Sequence, residues 1–148
     1  MNNLIAAAPK FRYRVLLCDE VEMVRREVQL VLANFPEFQM VGEAAGARDC
    51  IAKAVELKPD LVLMDVCMPD LDGAETARKI LLGAPATKIL AYSADLAWET
   101  VDRMFAVGAC GYVVKGPDED ELVRGARTVL AGGHYLSLAL LRPVDCND

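Results

Sequence analysis

The chain has 148 residues, of which 54% are hydrophobic and 26% charged, and its formal net charge is −6. These proportions are typical of a compact globular domain. The acidic charge argues against direct nucleic-acid binding by this chain, which would need a basic surface. No apolar run approaches the ~20 residues that span a bilayer, so the sequence predicts no membrane segment.

The cysteines also limit the choice of fold. There are five, an odd number, and no two of them form a Cys-x-x-Cys pair. Most lie inside apolar segments, where a free cysteine behaves as a small hydrophobic side chain. The pattern indicates free thiols in a reducing cytoplasm, with neither a disulfide framework nor a zinc site.

Short apolar runs alternate with stretches of helical periodicity along the chain. The runs cover residues 15–18, 39–44, 61–64, 89–92 and 111–114 and are typical of buried parallel strands. After each run, apolar residues recur every three or four positions, which predicts a helix with one buried face. Gly125 falls inside the last of these helices and should weaken it by about 1 kcal/mol relative to alanine. Five β–α repeats predict an open parallel sheet with helices on both faces.

These repeats fit one domain. Residues 1–13 are expected to form a lead-in, residues 14–133 the domain, and residues 134–148 a short helix or tail, or the remnant of a linker to an absent output domain. No internal linker interrupts the repeats, and a chain of this length suits a single domain.

Polar side chains occur where the predicted strands end. Asp19 and Glu20 follow the first strand, Asp65 follows the third, Ser93 ends the fourth and Lys115 follows the fifth. In open α/β sheets, binding sites form in the crevice outside the carboxyl ends of the strands. We therefore expect three acids, a hydroxyl and an amine to converge on one edge of the sheet.

This set of groups suggests phosphoryl transfer. Three neighbouring carboxylates repel one another unless a cation joins them, and an all-oxygen ligand set favours Mg²⁺. A magnesium ion, an amine and a hydroxyl can together hold the oxygens of a phosphoryl group while a carboxylate attacks phosphorus in line. Aspartate is a known nucleophile for such covalent intermediates.

Four segments then carry a resemblance to a known family. They are residues 15–20 (VLLCDE), 59–73 (PDLVLMDVCMPDLDG), 89–94 (ILAYSA) and 108–115 (GACGYVVK). In their order and spacing they resemble the receiver domains of two-component response regulators, from about residue 14 to residue 133. The resemblance implies a flavodoxin-like (βα)5 doubly wound sheet with strand order 2-1-3-4-5.

The resemblance also assigns the acidic residues their roles. Asp65 matches the phosphoacceptor. Asp19 and Glu20 match the acid pair that holds Mg²⁺, and Cys67 matches the position whose backbone carbonyl completes the metal shell. The second acid is a glutamate where aspartate is commoner, and its extra methylene is expected to shift or weaken the metal site.

The remaining matched positions concern the phosphoryl group and the switch. Ser93, Ala94 and Lys115 match the residues that contact the phosphoryl oxygens, and Tyr112 matches an aromatic residue that swings inward when the hydroxyl moves. Asp95, like Cys67, sits where side chains flank the phosphoryl group.

By resemblance, a sensor histidine kinase supplies the phosphoryl group, and the output is a changed surface for dimerisation or for an output domain. Catalysis is then limited to the domain's own aspartate, so the chain is not an enzyme in the usual sense. Residues 131–137 (AGGHYLS) resemble the junction at which relatives of the LuxR/NarL type continue into a DNA-binding domain, which favours a role in transcriptional regulation. The chain is either a stand-alone receiver or part of such a regulator.

Two other functions remain open. One is a pseudo-receiver that binds partners without phosphorylation, and the unusual Glu20 in the acid pair is consistent with this alternative. The other is an aspartate-nucleophile phosphatase, which would want a second acid two residues beyond the nucleophile, where this chain has Cys67.

Overall fold

The computed structural model describes residues 12–141. The strands are β1 Tyr13–Cys18, β2 Phe38–Ala44, β3 Leu61–Met64, β4 Lys88–Ser93, β5 Gly111–Val114 and β6 Tyr135–Leu136. The helices are α1 Glu22–Ala33, α2 Ala47–Leu57, α3 Gly73–Gly83, α4 Trp98–Ala106 and α5 Glu119–Leu130, followed by a 3₁₀ helix, Leu138–Leu141.

The strands form one parallel sheet in the order β2-β1-β3-β4-β5-β6. The predicted flavodoxin-like order 2-1-3-4-5 is confirmed, and β6 extends it by one strand. The sequence predicts only a short helix, a tail or a linker remnant for residues 134–148, because a strand of two residues shows no periodicity by which it could be recognised. The division of the chain at residue 133 stays a prediction.

Alternation along the central strands builds two apolar layers. In β1, Leu16 and Cys18 face one layer, while Val15 and Leu17 face the other. Helices α2, α3 and α4 pack on the first layer, and α1 and α5 pack on the second. Because both faces are covered, the strands read as continuous apolar runs.

Acidic side chains begin the last helix. Asp118 precedes α5 and its carboxylate accepts a hydrogen bond from the backbone N–H of Asp120 at 3.1 Å. Acidic residues also fill the first turn of α5, where the helix dipole favours negative charge. The start of α5 is thus fixed directly after the loop that carries Lys115.

The prediction that all cysteines are free is wrong for two of them, because the structure joins Cys18 and Cys50 in a disulfide. Cys18 ends β1 and Cys50 lies in the first turns of α2, and both are buried in the same apolar layer with their Cα atoms 5.9 Å apart. The two residues are separated by 32 positions in the chain, so no local motif could reveal the pairing. Cys67 and Cys110 are free.

Two other expectations concern the ends and the membrane. Residues 1–11 of the predicted lead-in lie outside the described residues. The last residue of that lead-in, Tyr13, is the first residue of β1. Within residues 12–141, no helix has the length and apolar character needed to cross a bilayer.

Candidate functional site

Strand register brings the predicted residues to one edge of the sheet. Cys18 of β1 pairs with Met64 of β3, so the next residues, Asp19 and Asp65, lie side by side. The backbone N–H of Asp65 donates to the Cys18 carbonyl at 2.9 Å. On the other side of β3, the backbone N–H of Lys115 donates to the Ser93 carbonyl at 2.9 Å. The carboxyl ends of β1, β3, β4 and β5 therefore form a single site.

A lysine joins the two acids. The Nζ atom of Lys115 donates to Asp19 Oδ2 at 2.7 Å and to Asp65 Oδ2 at 3.1 Å. Both acids are buried, with 1% of Asp19 and 8% of Asp65 exposed. One ammonium faces two carboxylates, so the cluster keeps net negative charge and favours a further cation.

The second oxygen of each carboxylate is held by its own loop. Asp19 Oδ1 accepts a hydrogen bond from the backbone N–H of Val21 at 2.9 Å. Asp65 Oδ1 accepts one from the backbone N–H of Cys67 at 3.0 Å. Such contacts two residues along the chain are characteristic of aspartate in turns, and they fix the orientation of both carboxylates.

The site keeps Lys115 charged. Burial is the largest influence and disfavours the ammonium, but the hydrogen bond to Asp19 and the negative charge of Asp65 outweigh it and raise the pKa of Lys115. The ring of Tyr92 lies 5.7 Å from Nζ and adds a cation–π contact. The amine is therefore available as a cation at neutral pH.

The hydroxyl side of the site is buried. Ser93 is fully buried, and its Oγ accepts a hydrogen bond from the backbone N–H of Asp95 at 3.2 Å. Tyr112 is also fully buried, and its hydroxyl donates to the Asp95 carbonyl at 2.7 Å. Burial raises the pKa of Tyr112 to about 12, so the phenol stays protonated and can donate. Tyr112 thus already occupies an inward position.

Three predicted residues lie at the exposed rim. Glu20, Ala94 and the side chain of Cys67 are exposed, although the Cys67 Sγ atom comes within 3.8 Å of Ser93 Oγ. Within residues 12–141, Glu20 makes no hydrogen bond or ion pair, and no three acidic, cysteine or histidine side chains form a preassembled cation cluster.

The available donors nevertheless suit magnesium. Asp19 and Asp65 supply buried carboxylate oxygens that already share one cation, the Lys115 ammonium. The Cys67 carbonyl, in the loop whose N–H holds Asp65, is another hard oxygen. Glu20 could join these ligands only from the rim, directly or through water.

Two aspartates have roles that the sequence did not reveal. The carboxylate of Asp95 turns away towards the start of α4, where it accepts from the Ala97 N–H at 2.9 Å and from the Thr100 hydroxyl at 2.8 Å. Asp70 caps α2 across the loop, accepting from the N–H groups of Ala47 at 2.8 Å and Arg48 at 3.0 Å. These backbone hydrogen bonds, led by that of Arg48, lower the pKa of Asp70. The sequence does contain one signal for this cap: Gly46 precedes α2 and has no side chain to cap it, so a residue from elsewhere in the chain is needed.

The loop after Asp65 is packed tightly against α3. A Cβ atom on Gly73, the first residue of α3, would stand 2.8 Å from the carbonyl oxygen of Val66 and 2.9 Å from its Cα. Glycine is therefore needed where α3 meets this loop.

The fold and the lysine-bridged acidic edge define a flavodoxin-like α/β domain with a site at the carboxyl ends of its strands. A family model, the response regulator receiver domain, matches residues 15–127, and the chain belongs to that family.

Similar proteins fall in the same group. The response regulator GacA of Pseudomonas aeruginosa is 39% identical over 124 residues, which cover 84% of this chain but 58% of GacA. A two-component response regulator of the LuxR family from Aurantimonas has a TM-score of 0.83 at 31% identity, covering 88% of this chain and 93% of that one. The receiver domain of a NarL regulator from Mycobacterium tuberculosis has a TM-score of 0.78 at 26% identity, covering 82% and 98%. The chain thus spans less than two thirds of the curated relative's length.

Proposed function

We propose that this receiver domain accepts a phosphoryl group on Asp65 from the phosphohistidine of a sensor histidine kinase and switches a protein interaction surface in response. The observation that carries the proposal is the Lys115 ammonium, which contacts both Asp19 and Asp65 at the buried edge of the sheet. A structural ion pair would need only one acid. Two acids and a lysine at the end of neighbouring strands match what phosphoryl transfer requires.

In the transfer step, a carboxylate oxygen of Asp65 attacks phosphorus while the bond from phosphorus to the imidazole nitrogen breaks. The nitrogen keeps the electron pair and later takes a proton, and Asp65 becomes an acyl phosphate. Lys115 and Ser93 stabilise the charge on the phosphoryl oxygens as it develops. A Mg²⁺ ion held by Asp19, Asp65, Glu20 and the Cys67 carbonyl would supply further positive charge.

The switch follows from competition for Lys115. A phosphoryl group adds charge of about −1.5 to −2 and strong acceptor oxygens beside the ammonium. Lys115 and Ser93 then turn to the new oxygens and shift the equilibrium of α4, β5 and α5, with Tyr112 as the aromatic element of the switch. A complete shift from 1:99 to 99:1 needs about 5.5 kcal/mol of differential stabilisation.

We also propose a role in transcriptional regulation in the cytoplasm. Support comes from similar proteins, among them a LuxR family regulator and the transcriptional regulatory protein DegU of Brevibacillus brevis, 29% identical over 125 residues. This acidic chain would act through dimerisation or through an output domain, without contacting DNA itself. Its catalysis would be confined to its own aspartate.

The test uses acetyl phosphate as donor and intact-protein mass as readout. We expect the wild type to gain one phosphoryl group with Mg²⁺ and none after chelation, and Asp65→Asn to gain none. Asp102→Asn is a matched control, because Asp102 is an exposed aspartate on α4, and it should behave as wild type. A folded wild type that gains no mass would instead support the pseudo-receiver.

A further inference from the structure

The chain after α5 returns to the sheet and covers the outer edge of β5. We define residues 135–141, which comprise β6, Ser137 and the 3₁₀ helix, as the C-terminal strap. The backbone N–H of Tyr135 donates to the Cys110 carbonyl at 3.1 Å, and that of Ser137 donates to the Tyr112 carbonyl at 3.0 Å. The strap therefore satisfies backbone groups that an edge strand would otherwise leave open to another chain.

One carboxylate of α5 fastens the strap. Glu121 Oε2 accepts hydrogen bonds from Ser137 Oγ at 2.7 Å and from the Tyr135 hydroxyl at 2.9 Å. Ser137 is fully buried and its Oγ also accepts from the backbone N–H of Val114 at 3.2 Å. A buried hydroxyl with one partner on β5 and one on α5 is costly to leave unpaired, so this fastening is specific.

An apolar side chain also anchors the strap. Leu140 is 5% exposed and belongs to the same apolar cluster as Tyr112 of β5 and Met104 of α4. Its neighbour Leu138, on the same 3₁₀ helix, is 74% exposed. The strap is thus hydrogen-bonded to β5 and α5, and one side of its helical turn is anchored in the apolar layer on which α4 packs.

The strap contacts alternate with site contacts along β5. The Tyr112 carbonyl accepts a hydrogen bond from the strap, and its hydroxyl donates one to Asp95. The Val114 N–H donates a hydrogen bond to the strap. The next residue, Lys115, holds Asp19 and Asp65. A displacement at this end of β5 must therefore change the strap contacts as well.

We propose that phosphorylation of Asp65 releases the C-terminal strap and uncovers the β5 edge together with the apolar surface beneath Leu140. The proposal rests on the proposed function. A phosphoryl group draws Lys115 away from Asp19, which displaces Val114. The 3.2 Å hydrogen bond from the Val114 N–H to Ser137 Oγ then breaks. The strap is then an internal cover for the surface through which the domain acts.

Hydrogen–deuterium exchange of the whole chain tests this, with intact mass measured on the same samples. With Mg²⁺ and acetyl phosphate, we expect exchange of the Ser137 and Leu140 amides to rise by about fivefold or more, and Asp65→Asn to show no change. Phosphorylated protein with unchanged or slower strap exchange would overturn the strap proposal and leave the proposed function standing. Absence of a mass gain would overturn the proposed function and the coupling with it.

Linkage supplies a second test that uses beryllofluoride, a phosphoryl mimic, with Mg²⁺. Leu140→Ala removes the anchor, so strap exchange should rise without any phosphoryl group, and affinity for beryllofluoride should rise by the same factor. Leu138→Ala, a matched control on the same helical turn, should leave both unchanged. Should Leu140→Ala fail to fold, Tyr135→Phe removes only one hydrogen bond to Glu121 and predicts the same direction. A loosened strap with unaltered affinity would contradict the coupling.

Discussion

Replacing Gly125 with alanine sets two effects against each other on α5. Alanine favours the helix by about 1 kcal/mol over glycine. The added Cβ atom, however, would stand 2.8 Å from Val113 Cγ2, 3.3 Å from Tyr135 Cδ1 and 3.4 Å from Leu90 Cδ2. Val113 is β-branched and 1% exposed, so it cannot turn aside, and overpacking of this kind costs about 1–3 kcal/mol. We expect Gly125→Ala to lower the free energy of unfolding by about 1 kcal/mol.

Urea denaturation of a double-mutant cycle measures this directly. Val113→Ala removes the obstructing methyl groups, so Gly125→Ala should be neutral or stabilising in that background. The difference between the two backgrounds isolates the contact between Gly125 and Val113. If Gly125→Ala stabilised the otherwise unchanged protein by about 1 kcal/mol, helix propensity would dominate and the close packing of α5 on β5 would be refuted.

Three further predictions concern charges and the disulfide. Lys115→Ala leaves two buried acids without their shared cation, so without divalent ions the free energy of unfolding should fall by roughly 1–3 kcal/mol in urea titrations. Mg²⁺ should restore part of this loss. An unchanged free energy of unfolding would contradict the lysine bridge. Without reductant, an alkylating reagent should leave Cys18 and Cys50 unlabelled in peptide maps. Reduction should lower the free energy of unfolding by about 3–4 kcal/mol for a loop of this length. Labelling of both cysteines in native or denatured unreduced protein would disprove the pairing. The Arg25 hydrogen bond lowers the pKa of Glu43, so this carboxyl contributes stability above its unfolded pKa and loses it as pH falls through its folded pKa. Glu43→Gln should therefore cost roughly 0.2–1 kcal/mol at neutral pH and progressively less as pH falls through the folded pKa of Glu43, and an effect independent of pH would exclude this pair as the cause.

Much of the fold was predictable because its signals are local. Each central strand is buried on both faces and reads as an apolar run, and each helix follows as an apolar stripe. Asp19, Asp65 and Lys115 were predictable as neighbours because the carboxyl ends of parallel strands meet at one edge. Lys115 indeed contacts both acids.

The remaining features depend on tertiary packing. The disulfide requires α2 to dock beside the end of β1, and the cap of α2 by Asp70 requires a loop from β3 to reach it. Gly125 was expected only to weaken α5, whereas its lack of a side chain lets α5 approach β5. Asp19 and Glu20 are neighbours in the chain, yet Asp19 is buried and Glu20 lies at the exposed rim. Such outcomes follow from how the elements pack together, which a residue's own neighbours in the chain do not determine.

Locating the phosphoryl group on a single residue tests the central claim most directly. After incubation with acetyl phosphate and Mg²⁺, borohydride reduction converts a phosphorylated aspartate to homoserine, and peptide mass mapping then identifies its position. We predict homoserine at position 65 alone, with none in samples treated with a chelator. Homoserine at another aspartate, or at none in folded protein, would contradict the assignment of Asp65 as the phosphoacceptor.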